Sequence, residues 1–174
     1  MLKHHLPHLF DDDPNLRSRA DTLASRTFEL VSFLTDVLNW NGPSQSHDGG
    51  DVTYHDSCSG LRELGIKAQP RKLLKAAGIS VREMVDPEVC CGFGGTFCVK
   101  YPDISVRMAS DKVHDIAATG ARAVLAGDLG CLLNIAGLLQ REGHSVQVRH
   151  VAEVLAGISD KVPPIGVSAP AGSD

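Results

Sequence analysis

The feature that most constrains this chain is an alternation running from Val52 to Leu155, in which short β-rich runs and helix-like stretches take turns. Val52-Thr53-Tyr54-His55 is the first strand-like run. Gln69 to Ala77 reads as a helix with Leu73 and Leu74 buried, stopped by Gly78 in the manner of a C-terminal glycine. Val81 to Val85 alternates like a second strand, and Pro102 to Ala118 is helical, marked by Ile104, Met108, Val113 and Ile116. Ala121 to Ala126 is a third strand, largely apolar and therefore expected at the centre of a sheet. Leu129 to Gln140 is a helix closed by Gly143, Val146-Gln147-Val148 a fourth strand, and Val151 to Leu155 a short last helix. Strands alternating with helices predict an α/β fold: about four strands, mostly parallel, flanked by helices.

Ahead of this alternation, Asp11-Asp12-Asp13-Pro14 reads as a helix start, with acidic residues at the positive end of the dipole and Pro14 in the first turn. Leu23, Phe28, Val31, Leu34 and Leu38 then recur at helical spacing, which predicts one long helix from Leu16 to Leu38. It is apolar on more than one face, as a helix between the main domain and a missing neighbour would be. Residues 41–50 read as a Gly/Pro/Ser/Asn linker. The expected organisation is an N-terminal helical segment at 1–47, a domain at 51–157 and a disordered tail at 158–174. His4, His5 and His8 are loosely spaced around Pro7 and read as surface residues rather than a metal cluster.

Composition removes several function classes. A net charge of −4 offers no basic patch for nucleic acid. No apolar run approaches the roughly 20 residues that span a bilayer. The opening Met1-Leu2-Lys3-His4-His5 does not lead into a signal-peptide core, so a cytoplasmic protein is expected. Aromatic residues make up only 5%, too few for a stacking platform. Five cysteines without a secretory signal point to free, catalytic or metal-bound thiols rather than disulfides.

The positions of those cysteines carry the chemistry. Cys58 lies just beyond the first strand, Cys90 and Cys91 beyond the second, and Cys131 beyond the third. In an open parallel sheet these loops share the carboxyl edge, where ligands bind. The four thiols are therefore expected to meet at one rim, where helix N-termini favour thiolates. Thiolate ligation selects zinc or iron–sulfur. Structural zinc usually uses short Cys-x-x-Cys hooks, and none occurs here. Adjacent Cys90 and Cys91 suit neighbouring irons of a cluster better, with Gly92, Gly94 and Gly95 letting the backbone approach it. An iron–sulfur cluster ranks first and zinc second. Cys98 could reach the same rim or simply pack at the start of a helix. His55, Asp56 and His150 are candidates for ligands or for partners of ligands. A thiol–disulfide enzyme using Cys90, Cys91 or Cys98 is a third reading.

Three stretches together resemble the cysteine-rich CCG domain family: Val52-Thr53-Tyr54-His55-Asp56-Ser57-Cys58, Cys90-Cys91-Gly92-Phe93-Gly94-Gly95-Thr96-Phe97 and Gly130-Cys131-Leu132. The family includes the heterodisulfide reductase B subunit and the glycolate oxidase iron–sulfur subunit, and the likeness is nearest to its lactate-utilization branch. It extends over about residues 1 to 157. The resemblance implies a cluster held by Cys58, Cys90, Cys91 and Cys131, a [4Fe–4S] type in some relatives and zinc in others. It implies electron transfer during oxidation of a 2-hydroxy acid, L-lactate or glycolate. The implied partners are other iron–sulfur or lactate-utilization subunits, through which any membrane association would run. The family's full motif ends in Cys-x-x-Cys, whereas Cys131-Leu132-Leu133-Asn134 supplies only its first cysteine, and Cys98 is the candidate for the missing place. Relatives carry two such domains, so the chain is expected to be the second one with the tail of the first.

Overall fold

The computed structural model describes residues 1–43 and 50–167. Most of the expected linker, 44–49, and the end of the expected tail, 168–174, lie outside the described residues. The chain divides into two compact units, Met1–Asn39 and Trp40–Asp174.

In the first unit a single 3-10 turn, Leu6–Phe10, precedes helix α1, Pro14–Ser25. Asp13 caps α1, its carboxylate accepting the N–H groups of Asn15 and Leu16 at 3.0 Å each. The helix expected from Leu16 to Leu38 is interrupted. After Ser25 the N–H groups of Arg26 and Thr27 turn back to the carbonyls of Leu23 and Ala24. The Thr27 hydroxyl donates to the Leu23 carbonyl at 2.8 Å. Glu29 is extended and caps a new helix, α2, Leu30–Ser32, accepting from Val31 and Ser32 at 2.8 and 3.0 Å. That helix widens into a π-turn over Phe33–Val37. Apolar spacing continues across the break, so periodicity alone reads one helix where local side-chain bonds make two.

The second unit is built on four strands: β1 Asp51–Tyr54, β2 Ser80–Val81, β3 Ala123–Ala126 and β4 Gln147–His150. They form one parallel sheet in the order β2-β1-β3-β4. The expected α/β architecture is therefore present, with every pairing parallel. β3 is buried at all four positions, as its apolar sequence requires. The helices are α3 Ala68–Ala76, α4 Phe97–Lys100, α5 Pro102–Ala118, α6 Leu129–Arg141 and α7 Val151–Leu155.

Register fixes which residues share a face. Thr53 pairs with Val124 and Tyr54 with Leu125. With side chains alternating along a strand, Thr53, His55, Val124 and Ala126 point one way and Val52, Tyr54 and Leu125 the other. Val124 and Ala126 pack with Val113 and Ile116 of α5 and with Leu132, Ile135 and Leu139 of α6. The opposite face meets α3, whose Arg71 lies over the Tyr54 ring at 5.3 Å.

The second strand is shorter than the run Val81 to Val85 predicts. Its last ladder bond is Arg82 N–H to the Val52 carbonyl, at 2.7 Å. The next donors are taken by α5: the Asp115 carboxylate accepts from Val85 and Asp86 at 2.9 and 3.0 Å. The buried Lys112 ammonium donates to the Asp86 carbonyl at 2.5 Å, and Met84 turns into the core. The chain thus leaves the sheet early and carries the cysteine loop across to α5. Residues 158–167, expected to belong to a disordered tail, run beside the sheet, where Ile165 N–H donates to the Val148 carbonyl at 2.9 Å.

Candidate metal centre

The strand order reverses direction between β1 and β3, since the chain moves from β1 outward to β2 and then returns to β3 on the other side. Loops after β1 and β3 diverge at such a point and leave a crevice at the carboxyl edge. His55 and Cys58 follow β1, and Cys131 lies in the first turn of α6 after β3. The loop with Cys90 and Cys91 comes in from β2.

Local bonds hold Cys91, Cys131 and the turn that follows the cysteine pair. Asp128 caps α6, accepting the Cys131 N–H at 3.1 Å, and its other oxygen accepts the Ser59 hydroxyl at 3.2 Å. Asn134, one turn into α6, donates its side-chain amide to the Cys91 carbonyl at 2.8 Å. Ser105 of α5 donates to the Gly92 carbonyl at 2.8 Å. Gly92 has φ +82°, and a Cβ there would lie 2.5 Å from the Ser105 carbonyl oxygen. The turn therefore requires glycine for its conformation and its contact with α5. Gly130 is needed for a different neighbour: a Cβ would sit 2.5 Å from the Phe93 ring. Phe93 seats against the start of α6 and ties the cysteine loop to the helix that carries Cys131.

The donor atoms of His55, Cys91 and Cys131 lie within 4.8 Å of one another, and all three residues are buried. Cys58 and Cys90 are half-buried and face each other. Burial raises the Cys58 thiol first, and the contact with Cys90 adds to it, with the Arg62 cation acting in the opposite sense. The Gly92 N–H points at the Cys90 sulfur at 3.4 Å. Cys91 is held below the ordinary thiol range because the Cys131 thiol points at its sulfur, which outweighs burial; the His55 ring pushes the same way. Cys131 is correspondingly raised, first by its bond to Cys91 and then by burial.

His55 is fully buried, yet among the described residues neither ring nitrogen has a hydrogen-bond partner of ordinary geometry. The ring lies near enough to the Cys91 sulfur to help lower that thiol, although the contact falls outside ordinary hydrogen-bond geometry. A buried polar group without a partner costs about 1–3 kcal/mol. Buried cysteine sulfurs beside an imidazole are the donors that zinc and iron take. The cluster has the atoms and the spacing to hold a metal ion.

The remaining candidates sit elsewhere. Cys98 is in α4, its thiol donating to the Gly95 carbonyl at 3.1 Å. Asp56, next to His55, faces the other side and is held by Arg71 through two bonds of 2.9 Å. Arg71 also grips Glu83 at 2.7 and 2.8 Å. His150 caps α7, its Nδ1 accepting the Ala152 N–H at 3.1 Å while Glu153 accepts the His150 N–H at 2.9 Å. Gly94 and Gly95 share positive φ values of +52° and +60° in the turn that leads into α4. Lys112, Asp115 and Asn134 hold the cysteine loop and were not singled out by the sequence. The available signal was a lysine beside the apolar markers Val113 and Ile116, on a helix face that has to be buried.

Residues 52–136 match the family model described as CCG, cysteine-rich domain. Lactate utilization protein A of Exiguobacterium sp. is 45% identical over 156 residues, covering 89% of this chain and 63% of that protein. Lactate utilization protein A of Bacillus cytotoxicus is 44% identical over 153 residues, covering 87% of this chain and 64% of the relative. The protein of that name from Oceanobacillus iheyensis is 44% identical over 156 residues, with 89% and 63% covered. The chain thus spans a little under two thirds of the length of these relatives. The matched segment runs from β1 through the first half of α6 and takes in His55, Cys58, Cys90, Cys91 and Cys131. Through these residues the segment 52–136 is similar to the cysteine-rich CCG domain family.

Proposed function

We propose that this domain is an iron–sulfur-binding redox module that relays electrons in the oxidation of a 2-hydroxy acid, L-lactate or glycolate. The observation that carries the reading is the meeting of Cys58, Cys90, Cys91 and Cys131 from three separate loops on one edge of the sheet. Cysteines used only for packing have no reason to collect there. The names of the relatives supply the lactate context.

When bound, a cluster of this kind supplies a one-electron carrier whose potential depends on charge, hydrogen bonding and solvent exposure. The four cysteines would hold it. Cys91 and Cys131 provide the buried side, and half-buried Cys58 and Cys90 the side turned toward solvent. That open side is where a redox partner, another iron–sulfur or lactate-utilization subunit, would come. The Gly92 N–H facing Cys90 and the Asp128 cap at Cys131 fix the sulfurs in place. Cys98 joins only if its bond to Gly95 is given up. Substrate dehydrogenation falls to another subunit or domain.

The test is anaerobic purification with iron and acid-labile sulfide analysis, followed by electron paramagnetic resonance of the reduced protein. Iron and sulfide with a reduced-state signal are expected. A colourless, iron-free protein under those conditions sinks the proposal. A second reading, a zinc-stabilised docking domain, is favoured by the compact mixed set of His55, Cys91 and Cys131. One zinc with no sulfide would select it.

A further inference from the structure

We infer that His55 is itself a ligand of the metal group, adding one imidazole nitrogen to the cysteine set. This rests on the reading that the domain holds a metal, and it goes beyond that reading by naming the additional donor.

Three independent observations converge on His55. Its backbone is fixed, because the His55 N–H donates to the Leu125 carbonyl at 2.8 Å and continues the ladder one residue beyond β1. Its direction is then set by strand alternation, which sends it to the same face as Thr53, Val124 and Ala126, where Cys91 and Cys131 pack. Its side chain is fully buried, and among the described residues neither nitrogen has a hydrogen-bond partner of ordinary geometry, although the donor atoms of the trio lie within 4.8 Å of one another. A histidine kept for packing would be expected to satisfy at least one nitrogen. Metal-ligating histidines instead offer one nitrogen to the metal, and a fixed backbone holds the ring in place for it.

The alternatives for an extra donor are engaged. The Cys98 thiol donates to Gly95, Asp56 is held twice by Arg71, and His150 caps α7. Among the described residues the one grouping of three or more donor side chains within ligand spacing is His55 with Cys91 and Cys131. A mixed set of this kind still suits iron or zinc, since imidazole serves both. The nitrogen donor therefore does not depend on which metal is bound.

X-ray absorption at the edge of the bound metal decides the matter on the full chain, prepared anaerobically with ferrous iron and sulfide and separately with zinc. The expected first shell contains sulfur and a nearer nitrogen, about 2.0–2.1 Å for zinc against about 2.3 Å for sulfur. The outer-shell scattering pattern of an imidazole ring should accompany it. His55→Ala should remove that pattern, and His55→Cys should restore a full shell as sulfur. Circular dichroism of each metal-free variant checks that it folds, and the wild-type spectrum needs no variant. A wild-type metal site with sulfur only and no imidazole scattering overturns the inference while leaving the metal reading intact. Failure of the wild-type chain to take up either metal overturns both. An imidazole pattern that persists in His55→Ala also overturns the inference, because another histidine would then be the donor.

Discussion

His55 and Asp56 are neighbours at the end of one strand, both buried, and their polar atoms meet opposite fates. Asp56 points to the α3 face, where two bonds from Arg71 satisfy it and Glu83 completes the arrangement. His55 points to the α5/α6 face, where among the described residues no partner meets its nitrogens with ordinary hydrogen-bond geometry. The fold thus supplies its own counter-charge on one face and leaves donors open on the other. Buried polar groups are normally hydrogen-bonded, so the exception on the cysteine side is the feature on which the proposed metal ligand rests.

Breaking the satisfied face should have the largest effect. Arg71→Ala leaves the buried Asp56 carboxylate uncompensated and should cost about 3–5 kcal/mol, toward the lower end because the guanidinium is partly exposed. Urea denaturation measures it; a loss under about 1 kcal/mol would mean Asp56 reaches water and the contrast is false. On the other face, Gly92→Ala should cost about 2–4 kcal/mol from the left-handed backbone and the clash with α5. Metal uptake should fall with it, because the cysteine turn moves.

The sign of a substitution at His55 sharpens the comparison further. In metal-free protein, His55→Leu removes two unpartnered nitrogens and should be neutral or stabilising by up to about 1–2 kcal/mol. Metal at a hundredfold excess over its dissociation constant should stabilise the wild type by about 2.7 kcal/mol and the variant by clearly less. Thermal unfolding with and without metal reads both, and equal destabilisation in the two states would make His55 a structural residue. The smallest effect concerns the outer arm of the α3 network. Arg71 holds the Glu83 carboxyl below its usual range. Its contribution is therefore present above the ordinary glutamate value and lost as pH falls through the lowered one. Glu83→Gln should abolish that pH dependence. Since Glu83 is half-exposed, the change should stay under about 1 kcal/mol.

Much of the architecture was legible along the chain. The order of strands and helices, the central position of the apolar Ala123–Ala126 run and the collection of cysteines beyond the strands all follow from local pattern and the rule for parallel sheets. Other features were not, and two of them show why. The break after Ser25 depends on Thr27 and Glu29 bonding nearby backbone, which hydrophobic spacing does not register. The early end of β2 depends on Asp115 and Lys112, residues of a helix about thirty positions away that compete for the strand's backbone groups.

What the sequence determined by itself is the supply of cysteine, histidine and acidic side chains and their place just beyond the strands, because residue type and strand order are written locally. Which donors are already engaged and which stay open was decided only by the tertiary structure. Strand register turned Asp56 toward Arg71 and His55 toward Cys91 and Cys131, and packing against α5 and α6 removed water from the second pair. No spacing in the chain carries that information, since it depends on long-range pairing that puts a residue's neighbours on one face or the other.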